Sequence, residues 1–184
     1  MLKKNFSSYW IRSAFYTFLQ RFSVTLFGFI NFILLVNESV GSLALTKEQV
    51  GIWALFLTIT AIFEATKSGL LKNAHIRYVT ASTNANDKIE VASTSLLLNA
   101  AISAVFIVVV LIFGNWISHQ LNTGQELFNT LKWFIPGLIA MVFFSHFEAV
   151  QQSNLDFKGV FAGYFSRQLL FFFFLFAHKM LNIP

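Results

Sequence analysis

Glu64 and Lys67 stand one helical turn apart in "FEATKSGLLKN", residues 63–73, at the end of an apolar run. Arg21, Glu148 and Arg167 are set into other apolar runs of the same chain. A charge at the centre of a bilayer costs at least about 2.5–3.5 kcal/mol on insertion scales, so these side chains are expected to pair or to face water. Glu64 and Lys67 are spaced to meet at i, i+3. Arg21 and Arg167, each seven residues into its run, lie roughly 10 Å deep at about 1.5 Å per residue. Glu64 lies at the depth of Arg21, and Glu148 four residues from the end of its own run. Both glutamates sit near helix C-termini, where the backbone carries partial negative charge, so cationic partners are expected for each.

Polar neighbours extend these charges into faces. Arg21, Thr25, Gly28 and Asn31 are spaced by four, three and three; Thr60, Glu64 and Lys67 by four and three; Ser145, Glu148 and Gln152 by three and four. Each set falls on one side of a helix, and the faces are expected to converge on a hydrated cavity. The plainer readings stay open. Thr25, Gly28 and Asn31 can be helix-packing residues, Arg21 and Arg167 can snorkel to headgroups, and Glu64 with Lys67 can be a structural ion pair. Glu148 can be an interfacial carboxylate, and Lys72, His75 and Arg77 anchors at the membrane edge.

Catalytic chemistry finds no foothold. There is no cysteine, no paired acidic metal motif, no Gly-rich phosphate loop and no Ser/His/Asp arrangement, so no catalytic residue, metal or cofactor is expected and the chain reads as a non-enzyme. Four scattered histidines offer no close ligand pair. His119, His146 and His178 read as interfacial or packing residues.

Elements long enough to hold these charges in lipid are prescribed by composition. Of 184 residues, 56% are hydrophobic and 11% charged, with 24 phenylalanines, outside the range of a water-soluble domain. The sequence predicts an all-α integral membrane bundle of about five transmembrane helices in one domain, residues 1–184. The spans are 14–36, 50–71, 95–116, 133–152 and 160–181, each near the roughly 20 residues a bilayer core requires. "NESVGSLALTKEQVG", "KNAHIRYVTASTNANDKIE", "SHQLNTGQE" and "SNLDFKGVF" separate them, the second partly helical. Pro136 and Gly137 are expected to loosen or kink the fourth span. The basic start lacks a small-residue cleavage site and reads as a retained helix.

Charge sets the orientation. With a cytoplasmic N-terminus, Lys3, Lys4, Arg12, Arg21, Lys67, Lys72, Arg77, Lys88, Lys158 and Arg167 fall inside and Lys47, Lys132 and Lys179 outside, ten against three. The net charge of +5 thus reflects topology and contact with membrane lipid, not nucleic acid. A faint internal echo joins "FEATKSGLLK" to "FEAVQQSNLDFK", which is compatible with duplication.

"QRFSVTLFGFINFILLV", "VGIWALFLTITAIFEATKSGLLKNAHIRYV" and "QSNLDFKGVFAGYFSRQLLFF" resemble the amino-terminal part of bacterial polysaccharide flippases, in the superfamily that includes the MATE-type exporters. The resemblance implies part of an N-terminal lobe, in a protein of two six-helix lobes that moves a polyprenyl-pyrophosphate-linked saccharide by alternating access. It also implies the bacterial cytoplasmic (inner) membrane, a role in O-antigen, lipopolysaccharide or capsule assembly, and polysaccharide polymerase machinery as a partner. Under it, Arg21 and Arg167 bind the pyrophosphate, Lys67, Lys72 and Arg77 line the entrance, and Glu64 and Glu148 hold the cations in place. About five helices are fewer than one lobe, so a fragment or truncated frame is expected. A cation-coupled multidrug exporter is the alternative transporter, and a non-transporting accessory subunit the alternative if 184 residues are the whole product.

Overall fold

A computed structural model describes residues 2–36 and 45–180, with side chains from residue 10 onward except that of Lys179. The turn expected at 37–44 and the end of the fifth span at 181 lie outside these residues. All regular structure among the described residues is helical: α1 (Leu2–Val36), α2 (Lys47–Lys67), a π turn (Ser68–Lys72), α3 (Asn73–Ala81), α4 (Ala85–Gln120), α5 (Glu126–Trp133), α6 (Ile135–Ser153) and α7 (Phe157–Met180).

Four helical stretches are long and apolar enough to cross a membrane: Trp10–Val36, Lys47–Ala81, Ala85–Gln120 and Phe157–His178. α5 and α6 together make a fifth, bent by 46°. The bend falls where Pro136 was expected to act. Without an N–H, Pro136 cannot donate to the preceding turn, and the chain breaks at Phe134 between the two helices. Large apolar side chains face outward along these stretches, Leu97 and Leu170 each 71% exposed, as helices that meet lipid rather than water would place them.

The chain forms two compact units, α1 with α7, and α2 to α6. In the first, α1 packs on α7 through aromatic contacts, Phe27 meeting Phe165 edge-on at 5.7 Å and Tyr16 meeting Phe161 at 6.1 Å. Asp156 starts α7: its Oδ1 accepts the Gly159 N–H at 3.0 Å, satisfying one of the donors a helix start leaves open. Leu155 before it is left-handed, φ 59°, a conformation that costs a non-glycine roughly 1–2 kcal/mol.

In the second unit, α4 packs against α3, α5 and α6. Val110, Leu127 and Leu131 form its apolar centre, with Ile52, Leu55, Phe56 and Ile59 of α2 packed on them. Phe63 stacks on Phe106, ring centres 4.0 Å apart, and Phe56 meets Phe134 edge-on at 5.0 Å. Gly114 lets α5 come close. A Cβ there would lie 2.6 Å from Phe128. "LNTG" turns the chain from α4 to α5 as expected, with Asn122 and Gly124 left-handed and Ser118 Oγ donating to the Gly124 carbonyl at 2.7 Å.

Candidate functional site

The π turn is the local device that positions the charges of the second unit. In an α-helix, residues five apart point roughly 140° away from each other. A π turn closes its hydrogen bonds at i→i+5, which brings such residues back toward one side. Lys67 and Lys72 bracket this turn. Both are thereby used on the buried side of one continuous helical run.

Lys67 is buried, 3% exposed, and its Nζ donates to Glu64 Oε1 at 2.7 Å, the i, i+3 pair expected from the spacing. The same ammonium lies 5.2 Å from the centre of the Phe63 ring, whose π face favours a cation. Glu148 accepts from Lys72 Nζ at 2.8 Å and from Gln152 Nε2 at 3.2 Å. Each carboxylate thus has a cationic partner as expected, but for Glu64 the reason differs: it lies within a helical run that continues through the π turn to Ala81, not at a C-terminus. For Glu148 that partner comes from 76 residues away.

One turn further along, three helices meet on a hydroxyl. Ser95 Oγ of α4 lies 2.8 Å from His75 Nδ1 of α3, 3.4 Å from His146 Nδ1 of α6, and 3.2 Å from the carbonyl of Ala92. A hydroxyl has one proton and two lone pairs. Giving the proton to Ala92 leaves both lone pairs for two imidazole N–H groups, the assignment that satisfies all three contacts at once. His75 Nε2 is then a bare acceptor, and it is buried without a partner. The two rings stand edge to face, 5.8 Å between centres. His75 and His146 were read as scattered residues: 71 positions separate them in sequence, and the packing of α3 on α6 brings them together in a ring contact.

Deeper along α4, Asn99 Nδ2 donates to the Val142 carbonyl at 3.0 Å and to Ser145 Oγ at 2.9 Å. Asn99 Oδ1 and Ser103 Oγ are buried without partners. Ser95, Asn99 and Ser103 recur every four residues, so α4 carries a polar stripe through a highly apolar span. Sequence reading missed this stripe, although its spacing of four carries the signal that could have found it. The histidine pair carries no such signal.

Arg77 is exposed. Arg167 places its guanidinium 5.0 Å from the centre of the Tyr164 ring. In the first unit Arg21 is exposed and no hydrogen bond or ion pair of its side chain exists among the described residues. Thr25 Oγ1 donates to the Arg21 carbonyl, Asn31 is buried, and a Cβ at Gly28 would meet nothing within 4 Å, so close helix packing does not use Gly28 among the described residues. Arg21 closes one side of a groove of about 640 Å³ between α1 and the start of α7, walled by Trp10, Phe18, Leu155 and Phe157. Arg12 and Lys158 line a smaller neighbouring hollow.

No group of three or more metal-ligating side chains occurs among the described residues. No family model matches the chain, and no curated protein or solved structure does.

Proposed function

We propose that this chain serves the export of a polyprenyl-pyrophosphate-linked oligosaccharide across the bacterial cytoplasmic membrane, by alternating access, with its N-terminus in the cytoplasm. The observation that carries this reading is the groove on α1. Its walls are apolar, and Arg21, which has no ion-pair partner among the described residues, lines it. An amphiphile with an anionic head suits such a groove: the prenyl chain lies on Trp10, Phe18 and Phe157, and the pyrophosphate meets a two-pronged guanidinium donor.

The second unit supports the same chemistry. Lys67 and Lys72 are held on carboxylates within apolar helices, which keeps two cations desolvated and positioned where an anionic group could reach them. A phosphate oxygen exchanged for a carboxylate oxygen leaves each ammonium satisfied, so the glutamates hold the cations ready without fixing them. Arg77 and Arg167 add donors, Arg167 from its place beside Tyr164. A cation-coupled drug exporter needs a carboxylate within the spans that is open to a cation. Glu64 and Glu148 are each already engaged by a lysine, which favours the anionic substrate.

Purified protein reconstituted in vesicles, given a fluorescent polyprenyl-pyrophosphate-linked oligosaccharide, tests the reading through the rate at which label changes leaflet. Wild type moves the label, and Arg21→Gln, exposed and therefore folded, slows it at least tenfold. No movement by wild type, or equal movement of an ordinary anionic phospholipid, overturns the proposal.

A further inference from the structure

Beside the α1 groove lies a hollow of about 240 Å³, lined by Arg12 and Tyr16 of α1 and by Asp156 and Lys158 at the start of α7. Ser13, Leu155 and Phe157 line both spaces, so the two adjoin. Their chemistry differs. The groove is apolar apart from its edge at Arg21, whereas two cations and a carboxylate share the hollow. Arg12 and Lys158 are exposed, and neither has an ion-pair partner among the described residues. The Arg12 guanidinium lies 5.8 Å from the centre of the Tyr16 ring, a contact that favours keeping it against α1. Asp156 gives Oδ1 to the Gly159 N–H and keeps its other oxygen without a partner among the described residues.

Arg12 stands nine residues before Arg21, which is about 13 Å along the axis and half a turn round the helix. A pyrophosphate on Arg21 does not reach that far, but a saccharide extending from it past Ser13 does. The cations of the hollow therefore answer a second anionic group of the same molecule. We propose that the hollow receives an acidic sugar of the saccharide, a uronate whose carboxylate is held by Arg12 and Lys158 and whose hydroxyls donate to the open Asp156 oxygen. Asp156 favours such a sugar over a further phosphate: its charge repels a dianion more strongly than a monoanion, and it accepts from hydroxyls. The inference rests on the function proposed above and names the class of saccharide that the site prefers.

Two fluorescent polyprenyl-pyrophosphate-linked oligosaccharides, identical except that one carries glucuronate where the other carries glucose, test it on the full chain in vesicles. The vesicles are made with and without phosphatidylglycerol, and the rate of leaflet change is read for each substrate. Wild type is expected to move the acidic substrate at least tenfold faster in both, as hydrogen bonds to a charged group imply. In Arg12→Gln and in Lys158→Gln, both at exposed positions that leave folding intact, the ratio of the two rates is expected to fall toward one. Arg12→Lys, which keeps the charge, is expected to keep most of the preference. Equal rates for the two substrates in wild type overturn this inference and leave the proposed function standing, whereas movement of neither overturns both. A preference that survives Arg12→Gln and Lys158→Gln overturns the inference, because the carboxylate is then read elsewhere. One seen only without phosphatidylglycerol assigns the hollow to an ordinary lipid headgroup and overturns it as well.

Discussion

Glu148→Gln isolates the ion pair that joins the π turn to α6. The substitution keeps shape, and Gln152 can still donate to the new amide oxygen, but Lys72 loses the one anionic partner it has among the described residues. Breaking a buried pair from one side costs about 3–5 kcal/mol, because a charge is left unanswered. The Glu148 side chain is 10% exposed and that of Lys72 23%, so the ammonium can swing partly toward polar surroundings and the lower end, about 3 kcal/mol, applies. For a chain of this size about 1 kcal/mol moves the melting temperature by roughly 2–4 °C, giving a fall of about 6–12 °C. Tryptophan fluorescence of the protein in micelles reads it on heating. Lys72→Met in the same chain removes the stranded charge, and the double variant is expected to recover to within about 1–2 kcal/mol of wild type, as replaced buried pairs often do. A melting temperature unchanged by Glu148→Gln, or a double variant no better than the single one, refutes the pairing as a buried interaction.

Two further perturbations probe the frame around that pair. Gly114→Ala, whose Cβ meets Phe128 at 2.6 Å, is expected to lower stability by about 1–3 kcal/mol in the same melting assay, whereas Gly28→Ala, with nothing within 4 Å, is neutral or stabilising by up to about 1 kcal/mol. Deleting Gly69 from the π turn restores α-helical spacing with Lys67 and Lys72 four residues apart, about 40° around the axis, so Lys72 stays on the side that meets Glu148. In that background Glu148→Gln is expected to keep its fall of about 6–12 °C, since the pair survives the loss of the extra residue.

Much of the helical architecture was legible because the apolar runs are long enough to cross a membrane, and a membrane leaves a chain few choices. Apolar runs of roughly 20 residues can only be helices there, and their ends fell where "SHQLNTGQE" and "SNLDFKGVF" supply turn formers and a capping aspartate. The Glu64–Lys67 pair is local and follows from a spacing of three. Three features required tertiary packing or a break in periodicity. Helical arithmetic at 3.6 residues per turn does not place Lys72 with Lys67, because the π turn that does so has no distinctive residue beyond Gly69. Glu148 found Lys72, and His75 found His146, through the packing of α3 and the π turn on α6, contacts between residues more than 70 positions apart. The long α1, running from Leu2, extends well ahead of the span expected at 14, since "KKNFSSYWIR" has no helix-breaking residue.

The proposed function rests on Arg21, which has no ion-pair partner among the described residues, and on exchangeable Lys67 and Lys72 serving an anionic lipid-linked saccharide. The most direct measurement is surface polysaccharide in cells that lack the native gene and carry it back in wild-type or Arg21→Gln form, with membrane insertion of both proteins checked. Restoration by wild type and its loss with the inserted Arg21→Gln protein is the expected result. Surface polysaccharide that is unchanged when the gene is removed contradicts the account.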